Sequence, residues 1–406
     1  MKSILIILLL LIIQVIILNG QHFGYKNFEI VESVPIETPF DNPDVRNAKE
    51  VWLEMIGNAK KTLDIEQFYI SNEPGEPLED VIQEIEDAAK RGVKIRLIGE
   101  AGMYKTYPET YDRLKKVIEI DLRFIDYRKI LGGVQHSKYF IVDNRETFLG
   151  SQNFDWRALK HIFELGFKIT DERIANVYKD IFEIDWMLSD PNKTWPKKEI
   201  VKRKSYQVPL YLYEDGDTIK YYPTFSPIDY ITDKNLWDET HLIQLIDSAE
   251  KEVFFHVLTY TPIARDKVYY AELDNALRRA AVRGVKVHVM TSDWSKRKPT
   301  INFLKSLSVI PNIEVKMSTI PEWSGGFIPF ARVDHRKYLL VDGKKCWLGT
   351  SNWEKSYFYS GRNIGVVVEN RKIVQKLRDI YLTSWDGPYS YLIKPEVEYT
   401  PPKIGE

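Results

Sequence analysis

Two segments of the chain carry the same chemically active residue types at the same spacing. In each, a lysine follows a histidine by two residues and an aspartate follows the lysine by five. An imidazole can act as a nucleophile or as a proton donor and acceptor, and an ammonium group can neutralise an anion. The pattern therefore indicates acid–base or nucleophilic chemistry at a negatively charged group. The candidate catalytic residues are His136, Lys138, Asp143, His335, Lys337 and Asp342.

A second short pattern follows each copy at a fixed distance. The first copy continues into Gly-Ser-Gln-Asn with Ser151 and Asn153, and the second into Gly-Thr-Ser-Asn with Thr350 and Asn352. Small polar side chains can donate hydrogen bonds to an oxyanion that approaches the backbone closely. These four residues are therefore predicted to bind the anionic group of the substrate, together with the two lysines.

Local geometry explains why the histidine and the lysine are two residues apart. Residues i and i+2 of a β-strand project to the same face, so each His–Lys pair is expected to point the same way. The apolar residues 139–142 and 338–341 that follow each lysine predict a strand buried inside a sheet. Each aspartate is then expected at the end of its strand, beside a turn.

The surrounding chain repeats at an offset near 190 to 200 residues, which indicates a duplicated domain. Residues 88–97 and 280–289 both read as the end of a helix, then Gly92 or Gly284, then an alternating strand. Helices that alternate with strands predict an α/β layered sheet in each half. We expect lobes at 21–190 and 227–406, joined by a proline-containing and charged linker at 191–226.

Composition limits the function classes. The 406 residues carry 57 Lys and Arg against 58 Asp and Glu, a formal charge of −1, and 44% are hydrophobic. Disorder and a uniformly basic nucleic-acid coat are therefore excluded. The single cysteine, Cys346, excludes a disulfide framework or a thiolate-rich zinc site and is expected to be a buried thiol. No metal or other cofactor is predicted, because each histidine is paired with a lysine rather than with a second metal ligand.

The amino terminus predicts a secretory route. A positive start at Lys2 is followed by the apolar stretch 4–18 and by Gly20, which is typical of a signal peptide over residues 1–20. The stretch is shorter than the roughly 20 residues that a spanning helix needs. The chain is thus expected to be secreted or to reach the endolysosomal lumen, where Asn192 is a glycosylation candidate.

The paired motifs resemble those of the phospholipase D superfamily, in which one His-x-Lys-x4-Asp motif per half builds a single active site between two lobes. Residues 150–159, 164–166 and 349–353 are most similar to the short luminal branch that includes endolysosomal phospholipase-D-like 5′ exonucleases. The chain departs from animal members of that branch in having one cysteine. The resemblance implies an α/β fold of two similar lobes, each a mixed sheet flanked by helices, with the site at the lobe interface.

The resemblance also implies a mechanism. One neutral imidazole attacks phosphorus to form a phosphohistidine, and the other, protonated, donates a proton to the leaving oxygen. It favours His136 as the nucleophile and His335 as the acid and base, with Asp143 and Asp342 orienting the site from behind. Glu164 is a further supporting candidate, and the matching position in the second half is Asn363. Free-imidazole pKa values predict a bell-shaped optimum at mildly acidic to neutral pH.

Three functions remain open from the sequence. The first is hydrolysis of phospholipids such as phosphatidylcholine to phosphatidic acid, with alcohols able to replace water and with peripheral contact to a membrane. The alternative is a 5′ exonuclease on single-stranded DNA or RNA, in which aromatic side chains stack on bases. The third is an inactive membrane-organising protein. No obligate protein partner is predicted, because one chain carries both motifs.

Overall fold

The computed structural model describes residues 22–192, 201–264 and 267–405. The predicted signal peptide at 1–20 lies outside these ranges, as do residues 193–194 of the glycosylation triplet. Asn192 itself is exposed. In the described ranges, no helix is both long enough and apolar enough to cross a lipid bilayer.

The first lobe contains eleven strands and six helices within its described residues. The strands are β1 Gly24–Tyr25, β2 Phe28–Ser33, β3 Arg46–Asn47, β4 Thr62–Gln67, β5 Ile70–Ser71, β6 Lys94–Glu100, β7 Ile120–Ile125, β8 Lys138–Val142, β9 Glu146–Gly150, β10 Phe154–Asp155 and β11 Glu164–Thr170. The helices are α1 Ala48–Gly57, α2 Leu78–Lys90, α3 Ala101–Tyr104, α4 Glu109–Leu114, α5 Tyr127–Leu131 and α6 Glu172–Leu188.

The second lobe contains nine strands and five helices within its described residues. The strands are β12 Leu210–Glu214, β13 Asp217–Ser226, β14 Glu252–Val257, β15 Lys286–Ser292, β16 Ile313–Ser318, β17 Tyr338–Val341, β18 Lys345–Gly349, β19 Asn363–Glu369 and β20 Ser390–Leu392. The helices are α7 Asp238–Asp247, α8 Glu272–Val282, α9 Thr300–Ser308, α10 Lys355–Tyr359 and α11 Arg371–Trp385.

The two main sheets have the same strand order, which confirms the predicted duplication. The first runs β2-β11-β9-β8-β4-β6-β7 and the second runs β13-β19-β18-β17-β14-β15-β16. In each sheet the last three strands are parallel and the others antiparallel. The sheets are therefore mixed, and the strands that follow the histidines, β8 and β17, lie near the middle of each. The predicted two-lobed α/β fold is confirmed.

The repeated helix–glycine–strand unit forms as predicted. Helix α2 ends at Lys90, and Gly92 with φ of +90° leads into β6, while Gly284 has the same φ between α8 and β15. A φ near +90° is readily adopted only by glycine, so the chain can leave the helix and turn directly into the neighbouring strand. This turn lets each helix pack its apolar side on the sheet.

The predicted linker at 191–226 is wrong in its second half. Strands β12 and β13 pair with each other, and β13 pairs with β19 over seven residues, so 210–226 belong to the second sheet. Prolines suggested a linker, but Pro209 precedes β12 and Pro223 lies beyond the residues of β13 that β12 covers. Proline is tolerated at a strand start and along an unpaired strand edge, because no ladder hydrogen bond is lost there.

One hydrophobic core is shared by both lobes. Phe167 and Ile181 of the first lobe are buried in the same cluster as Tyr221 and Ile364 of the second. Separate clusters lie on the outer side of each sheet, beneath α1 and α2 in one lobe and beneath α7 and α8 in the other. The lobes are therefore joined by apolar packing, which holds the ends of their central strands against each other. Cys346 is buried in the shared cluster, as predicted.

Candidate active site

The strands β8 and β17 bring both histidines to the interface between the lobes. The backbone N–H of His136 donates to the carbonyl of Arg362 at 2.9 Å, and that of His335 donates to the carbonyl of Phe163 at 2.9 Å. Each histidine is thus fixed by the segment of the other lobe that leads into β19 or β11. A backbone hydrogen bond leaves little freedom for the Cα position, so the two motifs are held in register with each other.

Both imidazoles line one cavity of about 390 Å³, together with Asn153 and Asn352. The ring of His136 lies between two aromatic rings, Phe68 at 5.1 Å and Tyr357 at 5.0 Å between centroids. The structure therefore brings the two copies of the motif to a single site, with an aromatic wall beside the first histidine.

The two lysines are buried next to the histidines. Lys138 Nζ donates to the carbonyl of His136 at 2.6 Å, and Lys337 Nζ donates to the carbonyl of His335. Burial lowers the pKa of both ammonium groups, and for Lys337 it does so to about 7. An anion bound in the cavity would favour their charged forms, since an opposite charge nearby offsets the cost of burial.

The two imidazoles have different hydrogen-bond partners. His335 Nδ1 lies 2.9 Å from both carboxylate oxygens of Glu164, whereas His136 Nδ1 lies 3.1 Å from the amide oxygen of Asn363. Both partners come from the opposite lobe. In each case Nδ1 is engaged, which leaves Nε2 as the ring nitrogen available to a substrate.

Electrostatics keeps the histidines neutral and the glutamate protonated. Burial, then the charges of Lys138 and Lys337, lower the pKa of both imidazoles well below the usual 6.5. Burial raises the pKa of Glu164 to about 8, although Lys337 opposes the shift. The Glu164–His335 pair thus retains one proton across acidic and neutral pH, and a carboxylic acid that donates to Nδ1 leaves Nε2 as an N–H donor.

The hydroxyls of Ser151 and Thr350 serve a different purpose from the one predicted. Ser151 Oγ accepts from the N–H of Leu165 at 3.1 Å, and Thr350 Oγ1 accepts from Ile364 N–H at 3.1 Å and donates to Asn363 at 3.0 Å. Both residues are completely or almost completely buried. Neither residue lines the cavity, so the prediction that these hydroxyls bind phosphate is wrong. Thr350 instead fixes Asn363, and Ser151 fixes Leu165, the residue after Glu164.

The two aspartates of the motif lie away from the histidines. Asp143 accepts the backbone N–H groups of residues 60–62 at 2.7–2.9 Å, and Asp342 accepts those of residues 250–252 at 2.8–3.0 Å. They follow the ends of β8 and β17 that point away from the site. Their predicted role in orienting the imidazoles is therefore wrong, since a strand of five residues in the first lobe and of four residues in the second separates them from the chemistry.

The remaining predicted residues stand as follows. Asn153 lines the cavity, and its Oδ1 is buried without a hydrogen-bond partner among the described residues. This oxygen is therefore available to accept a hydrogen bond from a ligand. Asn352 also lines the cavity, and its Nδ2 donates to the hydroxyl of Tyr357 at 3.1 Å. Within the described ranges, no three His, Cys, Asp or Glu side chains converge as metal ligands would.

Sequence reasoning did not identify the aromatic wall of the cavity as part of the site. The lining includes six large aromatic side chains: Phe68, Tyr69, Tyr107, Trp294, Phe330 and Tyr357. The sequence offers aromatic side chains only as general base-stacking candidates, because no fixed spacing ties any of these six to the motifs. Position on the neighbouring strand β4 is the one available indication, since Phe68 and Tyr69 follow its end.

The sequence and structure have clear relatives. Residues 52–186 and 242–385 match the family described as cardiolipin synthase, PLD-like domain. The chain is 33% identical over 382 residues to the virion nicking-joining enzyme of vaccinia virus (strain Western Reserve), covering 89% of this chain and 88% of that protein. It is 30% identical over 403 residues to the 5′-3′ exonuclease PLD3 of Xenopus laevis, covering 89% and 80%.

Solved structures share the fold at low identity. The phosphatidylserine synthase of Haemophilus influenzae Rd KW20 aligns with a TM-score of 0.61 at 12% identity, covering 85% of each chain. The polyphosphate kinase of Porphyromonas gingivalis aligns with a TM-score of 0.57 at 12% identity, covering 91% of this chain and 48% of that one. The family match over both lobes and the two imidazoles at one cavity agree: this chain belongs to the phospholipase D superfamily and is a phosphodiesterase of that type.

Proposed function

We propose that the protein removes nucleotides from the 5′ end of single-stranded DNA or RNA through a covalent phosphohistidine. The observation that carries this proposal is the small aromatic cavity around the two imidazoles. At about 390 Å³ it lies at the low end of the roughly 300–1,000 Å³ typical of ligand pockets. One terminal nucleotide suits such a volume, whereas a base-paired duplex does not.

The aromatic wall suits unpaired bases. Tyr69 and Tyr107 are stacked at 5.2 Å between centroids, and the hydroxyl of Tyr69 donates to Asp155 at 2.7 Å. Arg157 lies over the Tyr107 ring at 5.7 Å and also contacts Asp155. Stacking on aromatic rings contributes about 1–3 kcal/mol per base and tolerates any sequence, because every base has a π face. Two relatives whose names describe nucleic-acid reactions, one joining and one exonucleolytic, support the same substrate class.

The reaction begins with attack by His136. Its Nδ1–H donates to Asn363, so the lone pair of Nε2 faces the substrate and forms a bond to phosphorus. The bond from phosphorus to the leaving oxygen breaks as His335 Nε2–H gives that oxygen its proton, and the proton on Glu164 shifts to Nδ1. The charged lysines stabilise the anionic oxygens in the transition state.

Hydrolysis then runs in the opposite direction. A water molecule gives a proton to Nε2 of His335 and its oxygen attacks phosphorus, while the bond to His136 breaks and restores the neutral imidazole. The proton on Nδ1 of His335 returns to Glu164, so the pair again holds one proton. Each step moves one proton through the His335–Glu164 pair, which is the chemistry expected of a general acid and base.

The test compares two substrate classes in one preparation. The purified protein is incubated with a single-stranded oligonucleotide that carries a 5′ hydroxyl and a 3′ label, and separately with labelled phosphatidylcholine vesicles plus a primary alcohol. Stepwise shortening from the 5′ end supports the proposal. Formation of phosphatidyl alcohol with an intact oligonucleotide would replace it with phospholipid hydrolysis. Activity on neither substrate above that of the negative control His136→Ala would favour the inactive membrane-organising alternative.

We also propose that the protein works in the endolysosomal lumen or is secreted. The support is the leader-like segment at 4–18 together with imidazoles that stay neutral under acid. Imaging of the tagged full-length chain with a lysosomal marker tests this, and a cytosolic distribution would reject it.

A further inference from the structure

We propose that a basic recess on the second lobe binds the sugar–phosphate backbone of the strand that leads away from the catalytic cavity. This inference rests on the proposed nucleic-acid function and extends it to a second binding region. The recess, here called the lysine groove, has a volume of about 290 Å³ and lies between the start of α9 and residues 398–401. Its polar lining includes Lys296, Lys298, Lys305 and Tyr399.

The groove carries uncompensated positive charge. Three lysines line it against one acidic residue, Glu398. Among the described residues, Lys298 and Lys305 form no ion pair, and Lys296 has only a long one, 3.8 Å to Asp293. The formal charge of the whole chain is −1, so this concentration of lysines is local rather than a property of the composition. A concave basic surface attracts a polyanion more strongly than scattered charges do.

Aromatic rings lie beneath these ammonium groups. Lys305 Nζ lies 5.6 Å from the centre of the Tyr399 ring, and Lys296 Nζ lies 5.6 Å from that of Tyr391. The two rings are nearly parallel, with centroids 6.3 Å apart. Basic side chains interleaved with aromatic rings are the usual composition of surfaces that hold single strands, because charge contacts phosphates while rings contact bases.

One short turn contributes a residue to the groove and a residue to the catalytic cavity. Lys296 belongs to the same short 3-10 turn, Asp293–Lys296, as Trp294, which lines the cavity. On the other side, the backbone N–H of Phe330, another cavity residue, donates to the carbonyl of Ile404 at 2.7 Å. Trp294 and Lys296 are two residues apart, at most about 7 Å between Cα atoms. The groove is therefore close enough for a strand that has its end at the imidazoles to reach the lysines.

A recess favours a single strand over a membrane surface. A membrane surface is a broad layer of head groups, and exposed lysines on a flat protein face are suited to bind it. Lys296 and Lys305 instead line a depression and are only partly exposed. A flexible polyanion can enter such a depression and leave its bases against Tyr399. The expected occupant is therefore DNA or RNA beyond the nucleotide that is being cleaved.

The test uses Lys298→Glu/Lys305→Glu in the full chain, with Lys60→Glu/Lys61→Glu as a control of equal charge change. Lys60 and Lys61 are exposed at the turn held by Asp143, at the far end of β4 from the cavity. KM and kcat are measured on a 20-nucleotide strand and on a dinucleotide, over a series of salt concentrations. The dinucleotide carries no phosphate beyond the one that is cleaved, so it offers the lysines of the groove no backbone charge to bind.

The groove variant is expected to raise KM for the long strand on the order of tenfold, with kcat unchanged. The slope of log(1/KM) against log salt should fall by about 1.4, because each lost phosphate contact removes about 0.7 for a single strand. Kinetics on the dinucleotide, and both substrates with the control variant, should match the original protein.

Other outcomes separate the two proposals. If the original protein shortens the long strand and the groove variant does so with equal KM and equal salt slope, the groove proposal is overturned and the proposed function stands. Equal losses on both substrates would show that the lysines support the catalytic lobe rather than the strand. If the groove variant loses only binding to anionic vesicles, the surface contacts a membrane instead. If the original protein cleaves neither oligonucleotide, both proposals fall.

Discussion

The imidazoles of His136 and His335 differ in the neighbour that holds Nδ1, and this difference assigns their roles. Asn363 is itself fixed: its oxygen accepts from Thr350, and its Nδ2 donates to the carbonyl of Tyr357 at 2.8 Å. Its oxygen therefore faces the ring of His136, which keeps Nε2 unprotonated and nucleophilic. Glu164 instead exchanges a proton with His335, which suits the residue that acts as acid and base.

Glu164→Gln should move the basic limb of the pH–rate profile. In the original protein, activity should fall as pH rises through about 8, where Glu164 and its partner lose their shared proton. Glutamine cannot store that proton, so His335 must hold it alone with a pKa well below 6.5. The limb should shift below pH 6.5, and activity at pH 7 should fall roughly 10²–10³-fold.

The matched control is Glu146→Gln, a glutamate at the start of the neighbouring strand β9. Its profile should match that of the original protein, and Glu164→Asp should restore part of the basic limb. An unchanged profile in Glu164→Gln would separate Glu164 from the proton transfer.

The acidic limb of the pH–rate profile should lie at a lower pH than the pKa of a free imidazole suggests. The nucleophile must be neutral, and burial with Lys138 and Lys337 lowers the pKa of His136 well below 6.5. Protonation therefore stops the reaction only at a pH below that value. The mildly acidic to neutral optimum predicted from the sequence extends further into acid, and a rate that halves near pH 6.5 on acidification would contradict this environment.

His335→Ala should trap the covalent intermediate. With a nitrophenyl phosphodiester, whose leaving group needs no proton, His136 can still attack, while the following hydrolysis lacks its base. Mass spectrometry should find the nucleotidyl group on His136. His136→Ala should give neither turnover nor adduct, and an adduct on His335 in that variant would reverse the assignment.

The sequence predicts the reacting groups at this scale but not their partners. The His, Lys and Asn positions repeat at identical spacing, which is a local pattern. The partners are 171 positions away for His335 and 227 for His136, on the opposite lobe. Glu164 is recognisable as a candidate, whereas its contact depends on how the lobes pack, which no local spacing records.

At the scale of the strand, the motif aspartates stabilise the sheets by hydrogen bonds to the backbone of a neighbouring strand. Asp143 has φ of +51° in the turn after β8 and accepts three backbone N–H groups at the start of β4. Asp342 repeats this arrangement before β14. Each therefore joins two central strands of its sheet at the end away from the site.

Asp143→Ala should lower stability and leave catalysis intact. Loss of charge-assisted bonds to backbone N–H groups should cost about 1–3 kcal/mol in the free energy of unfolding. Partial burial raises the pKa of Asp143, but the N–H groups of Thr62, Lys60 and Lys61 outweigh it, and the net pKa is lowered. The stabilisation is therefore present above the unfolded pKa of about 3.9 and lost as pH falls below it. Urea unfolding at pH 7 and pH 3 measures this, and a loss of kcat without a loss of stability would contradict it.

Helices and strands were predictable from the sequence where the hydrophobic periodicity changes at a glycine, as it does between α2 and β6. Strands β12 and β13 were not, because proline and lysine in 191–226 resemble a linker. Tyr221 and Phe225 of β13 are buried in the shared core, so tertiary packing overrides the local composition there.

The whole molecule depends on a buried ion pair between its lobes. Arg362 donates to both oxygens of Asp185 on α6, at 2.6 and 2.9 Å, and to two carbonyls of the second lobe. Both side chains are completely buried. The carbonyl of Arg362 accepts the N–H of His136, so the residue that ties the lobes together also positions the nucleophile.

Arg362→Met should therefore weaken the entire molecule as one unit. Removing one member of a buried pair leaves Asp185 unpaired and should cost about 3–5 kcal/mol. The core shared by β11, β13, β19 and α6 couples the lobes, so calorimetry should show one transition at a lower temperature, with equal calorimetric and van't Hoff enthalpies. Asp185→Asn/Arg362→Met, which removes the stranded charge, should recover part of the loss. Two separate transitions in the original protein would mean that the lobes fold independently, and the imidazoles would then depend on docking rather than on a continuous core.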